Sequence, residues 1–192
     1  MNDSDFGEAT NNYKKKLQET INQLSIKDIE ELANVLHTSW KTGSQVFIFG
    51  NGGSAGNAIH LANDLLYGIG KKNNGIGLKV NALPANSSVV TCLANDEGYD
   101  DIFFRQLTVL ANPGDVALAL SGSGNSKNII KAIEWCNNNK VKTFAIIGYD
   151  GGKVKKIVNN FIHTNINDMQ ISEDLQLIIG HIIMQWLSNK GI

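Results

Sequence analysis

Val116-Ala117-Leu118-Ala119-Leu120-Ser121-Gly122-Ser123-Gly124-Asn125-Ser126 is the stretch on which the reading of this chain turns. Its first five residues form an unbroken apolar run, the pattern of a strand buried on both faces of a parallel sheet. Small polar residues follow, and from Ser126 the chain reads as a helix to residue 138. The loop sets three hydroxyls beside the amides of a helix start. Those unpaired N–H groups and the positive end of the helix dipole favour an anion. Such a clasp needs no cationic side chain, which suits a chain whose only arginine is Arg105. Ser126 also fits an N-cap.

The same unit recurs upstream. Residues 46–49 read as a strand, Gly50-Asn51-Gly52-Gly53-Ser54 as a glycine-rich turn, and 54–67 as a helix. Glycine lets a backbone turn tightly and approach a ligand. Alone this second loop is equally a turn serving chain geometry. Neither loop carries the Lys-Ser/Thr of a Walker A motif or a GxGxxG pattern, so no nucleotide cofactor is expected.

Further strands are expected at 80–83, 142–147 and 161–163. Helices are expected at 87–94, 102–110, 153–158 and 169–190. Strands alternating with helices give a doubly wound α/β fold with a parallel sheet, and its ligand sits at the carboxyl ends of the strands. Ahead of the sheet, residues 4–41 read as two helices. Tyr13, Leu17, Ile21 and Leu24 mark the first stripe; Ile29, Leu32, Val35, Leu36 and Trp40 mark the second. Ser25 caps the second helix, with Asp28 three residues on. The chain is expected to form one domain, with 1–43 as a helical arm and 44–192 as the core.

With a net charge of -1, the chain lacks the basic surface of a nucleic-acid binder. The first ten residues are polar and lack the pattern of a signal peptide, and no apolar run spans a membrane. Cys92 and Cys136 have no CxxC spacing and read as reduced thiols. The location expected from these features is cytoplasmic.

His60 and Asp64 stand four apart, on one face of the helix after the first loop. Glu173, Asp174 and His181 interrupt the apolar run of the last helix. Within each helix the spacing permits a metal site or an acid/base set, and equally a surface pair and a satisfied core histidine.

Taken in order, Gly50-Asn51-Gly52-Gly53-Ser54, His60, Asn95-Asp96, the serine loop, Gly148-Tyr149-Asp150-Gly151-Gly152 and His181 resemble the sedoheptulose-7-phosphate (phosphoheptose) isomerases, which are SIS-domain proteins. The resemblance runs over nearly the whole chain. It implies a five-stranded parallel sheet between helix layers, and a homotetramer with active sites at subunit contacts. It also implies conversion of D-sedoheptulose 7-phosphate to D-glycero-D-manno-heptose 7-phosphate, an early step towards bacterial surface heptose. By resemblance, Ser54, Ser121, Ser123 and Ser126 hold the phosphate. Asn51, Gly52, Gly53, Asn95, Asp96, Gly122 and Glu173 complete the substrate site. Asp64 is the base and His181 the acid. One zinc ion per site would be held by His60, Asp64, Glu173 and His181.

The sequence departs from that family in several places. The family's glutamate base is Asp64, one methylene shorter. Its glutamine is Glu173, an added negative charge. An arginine is replaced by Gly68 and a threonine by Gly122. These changes leave open an isomerase of another sugar phosphate. A related replication-initiator-binding tetramer lacks the histidine of the last helix, so His181 favours an enzyme. A sugar-phosphate-sensing regulator would need a separate DNA-binding domain.

Overall fold

The computed structural model describes residues 5–192. The expected start of the first helix at residue 4 lies outside them. Helix α1 runs over Phe6–Gln23 and α2 over Ile26–Thr42. Ser25 caps α2 as expected, its hydroxyl accepting from the Asp28 amide at 3.2 Å. Helix α2 buries Leu32, Ala33, Leu36 and Trp40, whereas α1 buries only Thr20. The first arm helix is therefore mostly a surface element. Tyr13 and Lys16 tie it to Asp174 and Asp168 at the start of the last helix.

Five strands follow: β1 (Val46–Gly50), β2 (Val80–Ala82), β3 (Val116–Ser121), β4 (Lys142–Ile147) and β5 (Asn160–His163). All pair in parallel, in the order β2-β1-β3-β4-β5. Strands β1 and β3 are wholly buried, which explains their unbroken apolar runs. Connecting helices are α3 (Gly53–Asn63), α4 (Ser87–Asp96), α5 (Phe104–Leu110), α6 (Lys127–Asn138) and α7 (Val154–Ile157), and α8 (Met169–Lys190) closes the chain. The sheet divides the core in two. One half packs β1 and β3 against Leu36, Leu61, Ile179, Ile183 and Leu187. The other packs Phe47, Phe49 and Ala119 against Leu107, Ile129, Ile133 and Cys136.

Several expected boundaries shift: the helix expected at 87–94 runs on to Asp96, and the short elements expected at 80–83, 153–158 and 161–163 move by one residue. The helix expected to 67 leaves α geometry at Asp64, where one π turn covers Asp64–Gly68 and a 3₁₀ turn covers Ile69–Lys72. The helix expected from 102 begins at Phe104. No described helix is long and apolar enough to cross a membrane.

Candidate active site

The strand order reverses between β1 and β3, so chain leaves their carboxyl ends in opposite directions and opens a crevice. Both glycine- and serine-rich loops sit there. They border a cavity of about 110 Å³ lined by Asn51, Ser54, Ser121, Gly122, Ser123 and Ser126, with Met169 and Glu173 contributed by α8.

Three of the four serines are held with their acceptor side already used. Ser54 Oγ accepts from Gln176 Nε2 at 3.1 Å. Ser121 Oγ accepts from the Gly124 amide at 3.1 Å, and Ser123 Oγ from the Asn125 amide at 3.3 Å. A hydroxyl that accepts one bond keeps its hydrogen to donate. Ser126 occupies the N-cap of α6 but makes no capping bond, so its hydroxyl is unspent. Four hydroxyls are thus ready to donate, and an acceptor-rich anion is the ligand that suits them. Gly124, at φ +65°, lets the loop press on its support: a Cβ there would lie 2.1 Å from the Gly151 oxygen.

Four residues that sequence reasoning missed fix this cradle. Asn128, buried at the start of α6, exchanges paired amide bonds with Asn51, both at 2.9 Å. Tyr99 donates to the same Asn51 oxygen at 3.0 Å. The pair clamps the two loops together, and it occupies the Asn51 side chain that sequence assigned to substrate. Gln176, also buried, joins α8 to α3 through Ser54 and Asn57. Asn57 and Gln176 lie in apolar helical surroundings and carried no motif signal.

Helices α3 and α8 run side by side in the same direction, so residues ascend together along their seam: Gly53 beside Glu173, Asn57 beside Gln176, Leu61 beside Gly180. Further down that seam His60, Asp64 and His181 converge. His60 Nε2 lies 2.9 Å from His181 Nε2, and Asp64 Oδ2 lies 3.3 Å and 3.4 Å from the two imidazoles. Four-coordinate zinc with bonds of 2.0–2.1 Å has ligand atoms roughly 3.3 Å apart at the corners of its tetrahedron. Three donors of the right chemistry therefore sit at near-tetrahedral separations, and the group is a candidate metal centre.

Glu173 does not join it. On α8, Glu173 stands eight residues before His181, about 12 Å along the axis. Its carboxylate instead lies over Gly53 and lines the serine cavity. The expected four-ligand set is three residues within the chain. Asn95 and Asp96 lie outside this cavity within the chain. They are exposed at the end of α4. Hydrogen bonds from the Asn95 amide and then the Cys92 thiol hold the Asp96 carboxyl below the usual range. The thiols offer no nucleophile: burial pushes Cys136 up to about 12, and the bond to Asp96 raises Cys92.

The departures at Gly122 and Gly68 have different standing. A Cβ at position 122 would meet Met169 Sδ at 2.5 Å, so the small residue and the methionine opposite are matched. At position 68 the nearest atoms are 3.9 Å away, and nothing in the packing demands glycine.

A parallel five-stranded sheet with a serine cradle at its switch point is the architecture of a sugar-phosphate-handling domain, and the SIS domain family matches residues 10–148. Phosphoheptose isomerase from Aquifex aeolicus is 34% identical over 163 residues, 85% of this chain and 84% of that protein. The phosphoheptose isomerase of Akkermansia muciniphila is likewise 34% identical, over 85% of each chain. The fold matches phosphoheptose isomerase GmhA from Neisseria gonorrhoeae with a TM-score of 0.86 at 23% identity, covering 95% of this chain and 98% of that one. A phosphoheptose isomerase from Francisella tularensis gives the same TM-score of 0.86 over 97% and 99%. The chain belongs to the phosphoheptose isomerase family.

Proposed function

We propose that this chain interconverts D-sedoheptulose 7-phosphate and D-glycero-D-manno-heptose 7-phosphate in the cytoplasm, supplying heptose for the cell surface. The observation that carries the reading is the pairing of a hydroxyl-lined anion cradle with the His60–Asp64–His181 cluster on one α3–α8 seam. A binding module needs the cradle alone; the cluster adds proton-transfer groups.

Ketose–aldose exchange moves a proton between adjacent carbons through an enediol. Ser54, Ser121, Ser123 and Ser126 hold the phosphate, and that remote grip orients the carbonyl end. Asp64 presents Oδ2 to the imidazoles and takes the carbon-bound proton on Oδ1. His181, whose Nε2 faces the cluster, passes a proton to and from the carbonyl oxygen on its other ring nitrogen, Nδ1. His60, Asp64 and His181 would hold the zinc ion, which supplies positive charge to polarise the carbonyl.

The protein is a homotetramer in this reading, with sites completed at subunit contacts. Large apolar side chains next to His60 and Asp64 in the sequence are exposed: Ile59 is 43% exposed, Leu66 54% and Tyr67 60%. Surfaces of that kind mark contacts with other chains.

The deciding experiment is turnover against a panel of ketose phosphates, with and without added zinc, the product identified by NMR. Sedoheptulose 7-phosphate should give the heptose phosphate. No aldose from it under either condition overturns the proposal, and faster conversion of another ketose phosphate reassigns the substrate.

A further inference from the structure

The serine loop is braced by the turn that follows the next strand. Gly148 N donates to the Gly122 oxygen at 2.9 Å, and Val154 N donates to the Gly124 oxygen at 2.9 Å. Lys153 N donates to Asn125 Oδ1 at 3.1 Å, and Asn125 Nδ2 donates to the Ser123 oxygen at 3.1 Å. The turn therefore fixes the backbone on either side of Ser123. It contains a strained residue: Tyr149 is not glycine, yet it sits at φ +46°. Backbone of that kind persists only where its surroundings over-determine it. The Tyr149 amide donates to the Ile166 oxygen at 3.0 Å. Its carbonyl accepts from His163 Nε2 at 2.9 Å.

His163 ends β5, half-buried, and this turn engages both of its ring nitrogens. A carbonyl only accepts, so Nε2 carries the proton and Nδ1 bears a lone pair. Lys155 Nζ, which only donates, lies 3.1 Å from that Nδ1. The Lys155 stem in turn leans on the loop: a Cβ on Gly151 would meet Lys155 Cδ at 2.7 Å and Cβ at 2.9 Å. One ring thus fixes two flanks of the turn, through Tyr149 on one and Lys155 on the other. An apolar side chain of similar bulk would serve if filling space were its task; here each nitrogen has a partner of the matching kind. We propose that His163 is a positioning residue for the phosphate seat: touching no ligand, it holds the 148–154 turn in the shape that sets the serine loop. The proposal rests on the reading of the serine cavity as a phosphate seat.

The test is calorimetric binding of inorganic phosphate, at fixed salt, to wild type, His163→Leu and His163→Gln. Leucine fills space without either bond; glutamine keeps a donor and an acceptor. His163→Leu should bind phosphate about tenfold more weakly, and His163→Gln should recover most of that loss. In turnover of sedoheptulose 7-phosphate the leucine variant should raise KM and leave kcat near wild type, because the proton-transfer cluster lies on a different seam. Lys155→Met, which keeps the stem and drops the ammonium, should weaken phosphate binding in the same direction and serves if His163→Leu does not fold. Unchanged phosphate affinity in a folded leucine variant, even with a lower thermal midpoint, makes His163 a structural residue only and overturns the proposal. A glutamine variant that binds no better than leucine overturns it too. Wild type that binds no phosphate overturns the seat reading and the proposal with it. Phosphate affinities in the expected order without turnover support the proposal and overturn the isomerase reading alone.

Discussion

His60 and His181, 121 residues apart in the chain, meet Nε2 to Nε2 at 2.9 Å. Two neutral imidazoles share such a contact only if one donates; a cation between them satisfies both lone pairs and Asp64 Oδ2 together. The expected consequence is stoichiometric metal binding. Cobalt(II) added to chelated protein should give tetrahedral visible absorption at one ion per chain, lost in His60→Ala. Absence of the band and of metal after dialysis against zinc would remove the metal from the account.

Asp64→Asn and His181→Ala should each lower kcat by at least about a hundredfold. Both side chains are part-exposed, so the thermal midpoint should barely move. A variant retaining near-normal kcat would show that its side chain does not carry the assigned proton transfer.

Asn128→Ala removes a buried amide whose partner, Asn51, is then left half-satisfied. The expected cost is about 1–3 kcal/mol of stability. Weaker phosphate binding should accompany it, because the clamp between the loops is gone. Asn51→Ala combined with Asn128→Ala should cost little more than either change alone, which a double-mutant cycle of denaturation midpoints would read. Full additivity would argue against the clamp.

Tyr13 is held protonated by its hydrogen bond to Asp174, then by burial and the charges of Asp174 and Asp168, and its hydroxyl is pushed up to about 12. Between pH 10 and 12 the unfolded chain has lost this proton while the folded chain keeps it. The stabilisation is complete below pH 10 and disappears as pH rises towards 12. Ultraviolet titration of tyrosinate should show one late-ionising group, absent in Tyr13→Phe.

Gly180→Ala should lower the thermal midpoint, at a cost of about 1–3 kcal/mol. A Cβ there would meet buried Leu61 at 2.2 Å and force α3 and α8 apart. His181 is the next residue, so kcat should fall as well. An unaltered midpoint would mean that the helices have more freedom than their contact implies.

How much of this was legible in the sequence depended on the range of each interaction. Strand, loop and helix around Ser121–Ser126 are local, and the apolar run with its polar turn reveals them. Ser25 as a cap and the alternation that dictates a parallel sheet were equally readable. The convergence of His60, Asp64 and His181 needs two helices packed in one direction, which no local pattern encodes. Asn128 resembled any polar residue in a helix's first turn, although its partner Asn51 lay in a conspicuous motif. Glu173 shows the opposite limit. The family pattern grouped it with both the substrate site and the histidines; within the chain, two turns of helix separate it from His181 and set it at the serine cavity.

The two halves of the core underpin different ends of the chemistry. Leu61, Ile179 and Ile183 lie beneath the histidines, on one side of the sheet; Ile129 and Ile133, across the sheet, anchor the helix that begins at the serine loop. Drift in either layer can therefore retune one job while sparing the other: a lineage could lose its proton chemistry and keep a working anion grip, becoming a sensor of the same metabolites without rebuilding the scaffold.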